Sequence, residues 1–171
     1  HRDLHYPLRR QRQMCIRDSE DAPDNVELRA ALAWGLLMTK EADEAASHTK
    51  RALELGLADA GMLRNLGRGF EKADRGSDAL VVYERLVDKE PSDAAAIISL
   101  AECLASLQRD DEAIETYQKG ILADSRNADL RLALGKAYVK RGEERAARSQ
   151  YERLRGLDGD KAALLLRAIE A

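Results

Sequence analysis

A fixed period of 34 residues, free of insertions, runs through most of this 171-residue chain. Leu32, Leu66, Leu100 and Leu134 fall in one column of the repeat. Ala45, Ala79, Ala113 and Ala147 fall in another, and Thr49, Tyr83, Tyr117 and Tyr151 in a third. A unit of this length is too small to bury an apolar core by itself. Units must therefore stack on their neighbours, and about three are needed for independent stability. The period defines four units, 26–59, 60–93, 94–127 and 128–161.

The columns inside a unit have helical spacing. Positions 4, 7, 8 and 11 follow the i, i+3, i+4, i+7 pattern of one helix face, and positions 20, 24, 27 and 28 do so for a second helix. Position 8 is small (Ala33, Gly67, Ala101, Gly135), as is position 20, so the two backbones can approach closely. Large residues at position 11 (Leu36, Phe70, Leu104, Tyr138) and at position 24 fill the space beside that contact. A turn is expected near position 15, where Asp74 and Gly142 stand among others. Asn25, Asp59, Asp93 and Asn127 share position 34 and are expected to cap the following helices. Pro23 and Pro91, two periods apart, would end helices.

Two ends depart from the period. Residues 1–22 are read as a non-native or disordered tail, because they are locally basic and lack an apolar helical pattern. Residues 1–19 resemble translated sequencing-adapter read-through, and the register continues backwards poorly into Gln11 and Cys15, so the array is expected to be truncated at its start. Residues 162–171 read as a short helix in which Leu165, Ala168 and Ile169 continue the register. Ile169 is too large for position 8, so this helix is expected to cap the array; a truncated next repeat is the other reading.

Composition narrows the function classes. Aromatic residues make up 4% and charged residues 35%, which suits stacked amphipathic helices. The formal net charge of −3 is unevenly placed: residues 1–19 carry +3 and the remainder −6. An acidic body argues against nucleic acid, whose phosphates need basic surface. No apolar run reaches the ~20 residues of a membrane span. Cys15 and Cys103 are too few and too far apart for a disulfide framework or zinc site. Cys103 is expected to be a packed thiol. This cysteine usage fits a reducing, cytoplasmic compartment; a lost upstream signal would instead allow a periplasmic one. His48 is the only histidine outside the tail and has no obvious partner for acid–base work. No phosphate loop, nucleophile elbow or metal-binding motif is present, so no catalytic residue, metal or cofactor is expected. The clusters Glu41–Asp43–Glu44 and Asp110–Asp111–Glu112 stand at the starts of second helices, where they read as caps.

The columns at positions 7, 8, 11, 20, 24 and 32 resemble those of the tetratricopeptide repeat family. The likeness spans 23–161; the departures are the lack of an aromatic at position 4 (Arg29, Leu63, Ile97, Arg131) and Thr49 at position 24. The resemblance implies an all-α, right-handed α-solenoid of four tandem helix-turn-helix units plus the short C-terminal capping helix. It also implies that positions 5, 9, 12 and 13 line a concave groove. The groove candidates are Trp34, Leu37, Met38, Arg64, Arg68, Lys72, Glu102, Lys136 and Lys140. The four groove positions carry five bases and two acids across the units; adding Glu27 and Asp129 at position 2 lowers the excess to +1. Arg64 and Arg68 resemble half of the clamp with which chaperone-binding members hold a terminal carboxylate, but Ala30 and Trp34 replace the other half, so a chaperone co-factor is not expected. The function this implies is a scaffold that holds a peptide or partner helix, with an acidic and apolar motif. A docking or regulatory arm of a larger enzyme is the alternative.

Overall fold

The computed structural model describes residues 24–171, and all regular structure among them is helical. The expectations for the tail, with Cys15 and Pro23, lie outside the described residues. The chain divides into two compact units at Lys89 and Glu90. In the first, α1 (Val26–Met38) packs on α2 (Ala42–Glu54), α3 (Ala60–Lys72) packs on α4 (Gly76–Lys89), and α1 also meets α3. In the second, α5 (Ala94–Ser106) packs on α6 (Asp110–Ala123) and α7 (Ala128–Lys140) on α8 (Glu144–Arg155). There α6 meets α7, and α9 (Gly159–Ile169) lies against both α7 and α8. No helix among the described residues is long and apolar enough to cross a membrane.

The helices start and stop where their end groups dictate. The side chains of Asn25, Asp59, Asp93 and Asn127 accept from the N–H groups of Leu28, Met62, Ala95 and Leu130 at 2.8, 2.6, 2.9 and 3.1 Å. Each satisfies an N–H that the helix itself cannot. Position 15 enters the left-handed region in every unit: Lys40, Asp74, Gln108 and Gly142 have φ of 67°, 58°, 63° and 73°. The next N–H then closes back on position 11, as Arg75 to Phe70 at 2.9 Å and Glu143 to Tyr138 at 2.9 Å. This closure satisfies helix-end carbonyls and reverses the chain.

The left-handed residue sets up a stability test. That conformation costs a residue with a side chain about 1–2 kcal/mol, part of which a glycine returns through its freer unfolded chain. Gln108→Gly should therefore raise stability by about 0.5–1 kcal/mol, and Gly142→Ala should lower it by about 1 kcal/mol. Denaturant midpoints at constant slope are the check.

The small columns do what the sequence implies. A Cβ placed on Gly67 would lie 2.4 Å from the Tyr83 ring, so the ring needs glycine there. Ala45, Ala79 and Ala147 are fully buried and Ala113 is 1% exposed. Cys103 is buried. The last helix shifts the register. Asp158 caps α9, accepting from Lys161 N–H at 3.0 Å, so the helix begins three residues before position 34 would place it. The unshifted register puts Ile169 at the close-contact position. Instead Ala162 and Leu165 turn inward, a Cβ on Gly135 would meet Leu165 at 2.4 Å, and Ile169 is only half-buried.

The acidic clusters act differently from side-chain caps. Neither Glu41 nor Arg109, the residues preceding α2 and α6, makes a side-chain cap bond. Asp43 instead takes Arg75 of the next hairpin at 2.5 Å, and Asp111 takes Arg141. These pairs tie neighbouring hairpins within each unit, while the carboxylates still gain from the helix N-terminus. No group of residues suited to a metal ion occurs among the described residues.

Candidate functional site

In the first unit the groove candidates sit on α1 and α3. Leu37 is buried, Trp34 is half-buried and Met38 is 42% exposed. A Cβ on Gly69 would lie 2.7 Å from Leu37 Cδ1 and 3.3 Å from Trp34 Cζ3. The indole and the leucine therefore rest on the bare backbone of α3. Trp34 is positioned by a neighbour inside its own unit. Arg64 is half-buried, and Arg68 and Lys72 are exposed, all three on α3. Arg64 and Arg68 are four residues apart, so they share a helix face. Ala30, another implied groove position, is fully buried. Sequence reading missed Gly69. Its signal was available, because position 10 is small in every unit: Gly35, Gly69, Cys103 and Ala137.

In the second unit Glu102, Lys136 and Lys140 come together on the wall of one cavity of about 350 Å³. All three are exposed. Lys140 Nζ donates to Asp110 Oδ1 at 3.0 Å and to the Ala105 carbonyl at 3.4 Å. Arg141 reaches Glu143 at 2.8 Å as well as Asp111. Tyr117 forms part of the wall, and burial, with Glu102 adding to it, pushes its hydroxyl well above the ordinary range. Its phenol therefore stays protonated and uncharged. Asp110, Arg141 and Tyr117 were not among the sequence candidates, since a pairing between neighbouring hairpins cannot be read from one unit.

His48 faces Arg29, with Nδ1 3.3 Å from a guanidinium nitrogen. Burial and then Arg29 lower its pKa below 6.5, and Glu44 only partly opposes them. The folded state thus favours neutral imidazole. The resulting stability is present above pH 6.5 and is lost as pH falls through the lower folded value, because the unfolded chain takes up its proton first. Melts at about pH 7.5 and about pH 5.5 should differ more for the native chain than for His48→Gln. Equal differences would show that His48 carries no such linkage. Arg131 occupies the same repeat position as Arg29 and, like it, reaches a residue 19 positions on, Gln150, at 3.3 Å. Arg131 also donates twice to the Ser125 carbonyl, at 3.1 and 2.5 Å. Position 4, where the sequence lacked an aromatic, is thus filled in the first and fourth repeats by an arginine held to its own second helix.

Known proteins can be set beside this geometry. Residues 72–127 match a family model described as tetratricopeptide repeat. Over those residues the chain is similar to the tetratricopeptide repeat. The repeat chain also shares its fold with solved structures. The crystal structure of YrrB, described as a tetratricopeptide-repeat protein with an unusual peptide-binding site, superposes with a TM-score of 0.68 at 20% identity, covering 96% of this chain and 84% of that one. A crystal structure of MamA gives 0.64 at 21% identity, covering 89% of each chain. MamA from Desulfovibrio magneticus RS-1 gives 0.59 at 19% identity, covering 92% of this chain and 97% of that one. At these identities the likeness concerns the fold. No curated protein matches the repeat chain.

Proposed function

We propose that the repeat chain is a protein-interaction scaffold without catalytic activity of its own. Its α1–α3 face takes a short peptide in which an apolar anchor stands beside an acidic residue. The observation that carries this reading is the seat of Trp34 on Gly69. An indole fixed by a neighbouring backbone is a preorganised apolar contact, and Trp and Arg are the residues most often found at binding hot spots. Leu37 supports the indole from within, and Met38 extends its apolar surface outward. Arg64 and Arg68 present two guanidinium forks on one face, suited to one carboxylate or two neighbouring ones. Lys72 continues the basic row on α3. The second unit has a polar wall of its own, made by Glu102, Lys136 and Lys140. The peptide-binding site reported for YrrB, on the same fold, agrees with this class of partner.

Trp34 is the only tryptophan, so its emission reports directly on the site. Titration with peptides that combine an apolar and an acidic residue should shift the spectrum. Arg64→Ala with Arg68→Ala should weaken binding by about 1.5–3 kcal/mol in total, because Arg68 is exposed and its ion pair is screened. No shift with any such peptide, or unchanged affinity in the double variant, would remove this reading.

A further inference from the structure

In the second unit, Arg131 of α7 is a buried charge without a counter-charge. It is 6% exposed, yet it makes no ion pair with a carboxylate among the described residues. Its guanidinium bonds neutral oxygens instead. Nε and Nη2 donate to the Ser125 carbonyl at 3.1 and 2.5 Å, and Nη1 donates to Gln150 Oε1 at 3.3 Å. Arg153 of α8 lies close by, so that burial and then this second guanidinium lower the Arg131 pKa. Buried charges are normally paired, because a lone one is costly in a medium of low dielectric. This corner therefore carries positive charge that no ion pair balances among the described residues.

The side chain of Ser125 lies within reach of that charge. Arg131 holds the carbonyl of the same residue, so a group carried on Ser125 Oγ hangs beside the guanidinium. Ser125 stands in the repeat column that holds Pro23 and Pro91, where it introduces a hydroxyl. Residues 122–126 are all exposed, so an enzyme can approach this connection. The adjacent Asp124 carboxylate is engaged at the start of α7, where it accepts from the Arg126 N–H at 3.1 Å and from Asn127 Nδ2 at 3.2 Å. Arg126 adds a further exposed guanidinium. We propose that Ser125 is a phosphorylation site whose phosphate is received by Arg131 and Arg153. A phosphate monoester brings about two negative charges and three strong acceptor oxygens, and guanidinium forks match it. A protein kinase using a nucleoside triphosphate supplies it. Ser125 Oγ attacks the γ-phosphorus, the new Oγ–P bond forms as the bond to the departing nucleoside diphosphate breaks, and the hydroxyl proton passes to the kinase's base. The phosphate then fastens the connection between α6 and α7 onto α8.

The test installs phosphoserine in place of Ser125 in the full chain and follows its second ionisation by phosphorus NMR. That ionisation should fall about half a pH unit or more below its ordinary value of about 6, because nearby guanidinium charge favours the dianion. Phosphoserine in place of Ser92, which is exposed just before the cap of α5, should titrate near the ordinary value. Both phosphates lie beside a helix start, so the arginines make the difference between them. Arg153→Gln should return part of that difference, and Arg131→Gln more of it; if Arg131→Gln does not fold, Arg153→Gln carries the test. Inorganic phosphate added to the unmodified chain separates a tethered source from a free one. It should move the Arg131 Nε–H signal only at concentrations on the order of millimolar or above, which a short tether replaces. Saturation by micromolar phosphate would give the site to a free anion and overturn the role of Ser125. An ordinary ionisation of the phosphoserine replacing Ser125, or a lowered one that Arg153→Gln leaves unchanged, would overturn the proposal as well. Trp34 lies in the other unit and takes no part in these readouts, so this site and the α1–α3 site stand or fall separately.

Discussion

Tyr83→Ala should destabilise the first unit by about 3–5 kcal/mol, the usual cost of emptying a fully buried aromatic site. Tyr83 has no exposed surface, packs its ring on Gly67, and donates its hydroxyl to Glu71 at 2.8 Å. Alanine removes the ring and leaves a cavity that α3 and α4 cannot close, because their backbones already meet at Gly67 and Ala79. Tyr83→Phe keeps the ring and loses only the hydrogen bond, so it should cost about 0.5–1.5 kcal/mol. Trp34 lies in the same unit, and its emission during denaturation follows that unit without interference from another tryptophan. A Tyr83→Ala midpoint equal to that of Tyr83→Phe would mean that the ring is not part of the packing.

Leu165→Ala should cost about 2–5 kcal/mol and should act on the second unit. Leu165 has no exposed surface, and together with Ala162 and Leu154 it forms the cluster that joins α9 to α8. Its side chain fills the space over Gly135, which in the first unit is filled over Gly67 by a tyrosine. Repeat stability is a sum of neighbour interfaces, so the loss should be concentrated in α7, α8 and α9. Hydrogen exchange would show it as faster exchange in those helices than in α1 to α4. Uniform acceleration, or none, would contradict a capping role for α9.

Much of the fold is legible in the sequence because a repeat presents each constraint four times. Asn25, Asp59, Asp93 and Asn127 share a column, and each caps a helix. The small columns at positions 8 and 20 are the close contacts. A turn is expected near Asp74 and Gly142; its left-handed residue occurs at Lys40 and Gln108 too, because hairpin geometry overrides the preference of the residue. The register of α9 was not legible, since its cap at Asp158 competes with a position that the period alone assigns to Lys161. The proposed site was less legible than the fold. Position arithmetic puts Trp34, Arg64 and Arg68 among the groove candidates, but the support for Trp34 comes from an absent side chain at Gly69.

The claim that matters most for function is that Trp34, Arg64 and Arg68 act together on an acidic and apolar peptide. Selection of a random peptide library on the immobilised chain, with subtraction on the Arg64→Ala, Arg68→Ala variant, tests it directly. The account predicts enrichment of peptides pairing a large apolar residue with Asp or Glu one or two places away, and that these peptides are retained by the native chain alone. Peptides without an acidic residue, or peptides held equally by both proteins, would contradict it.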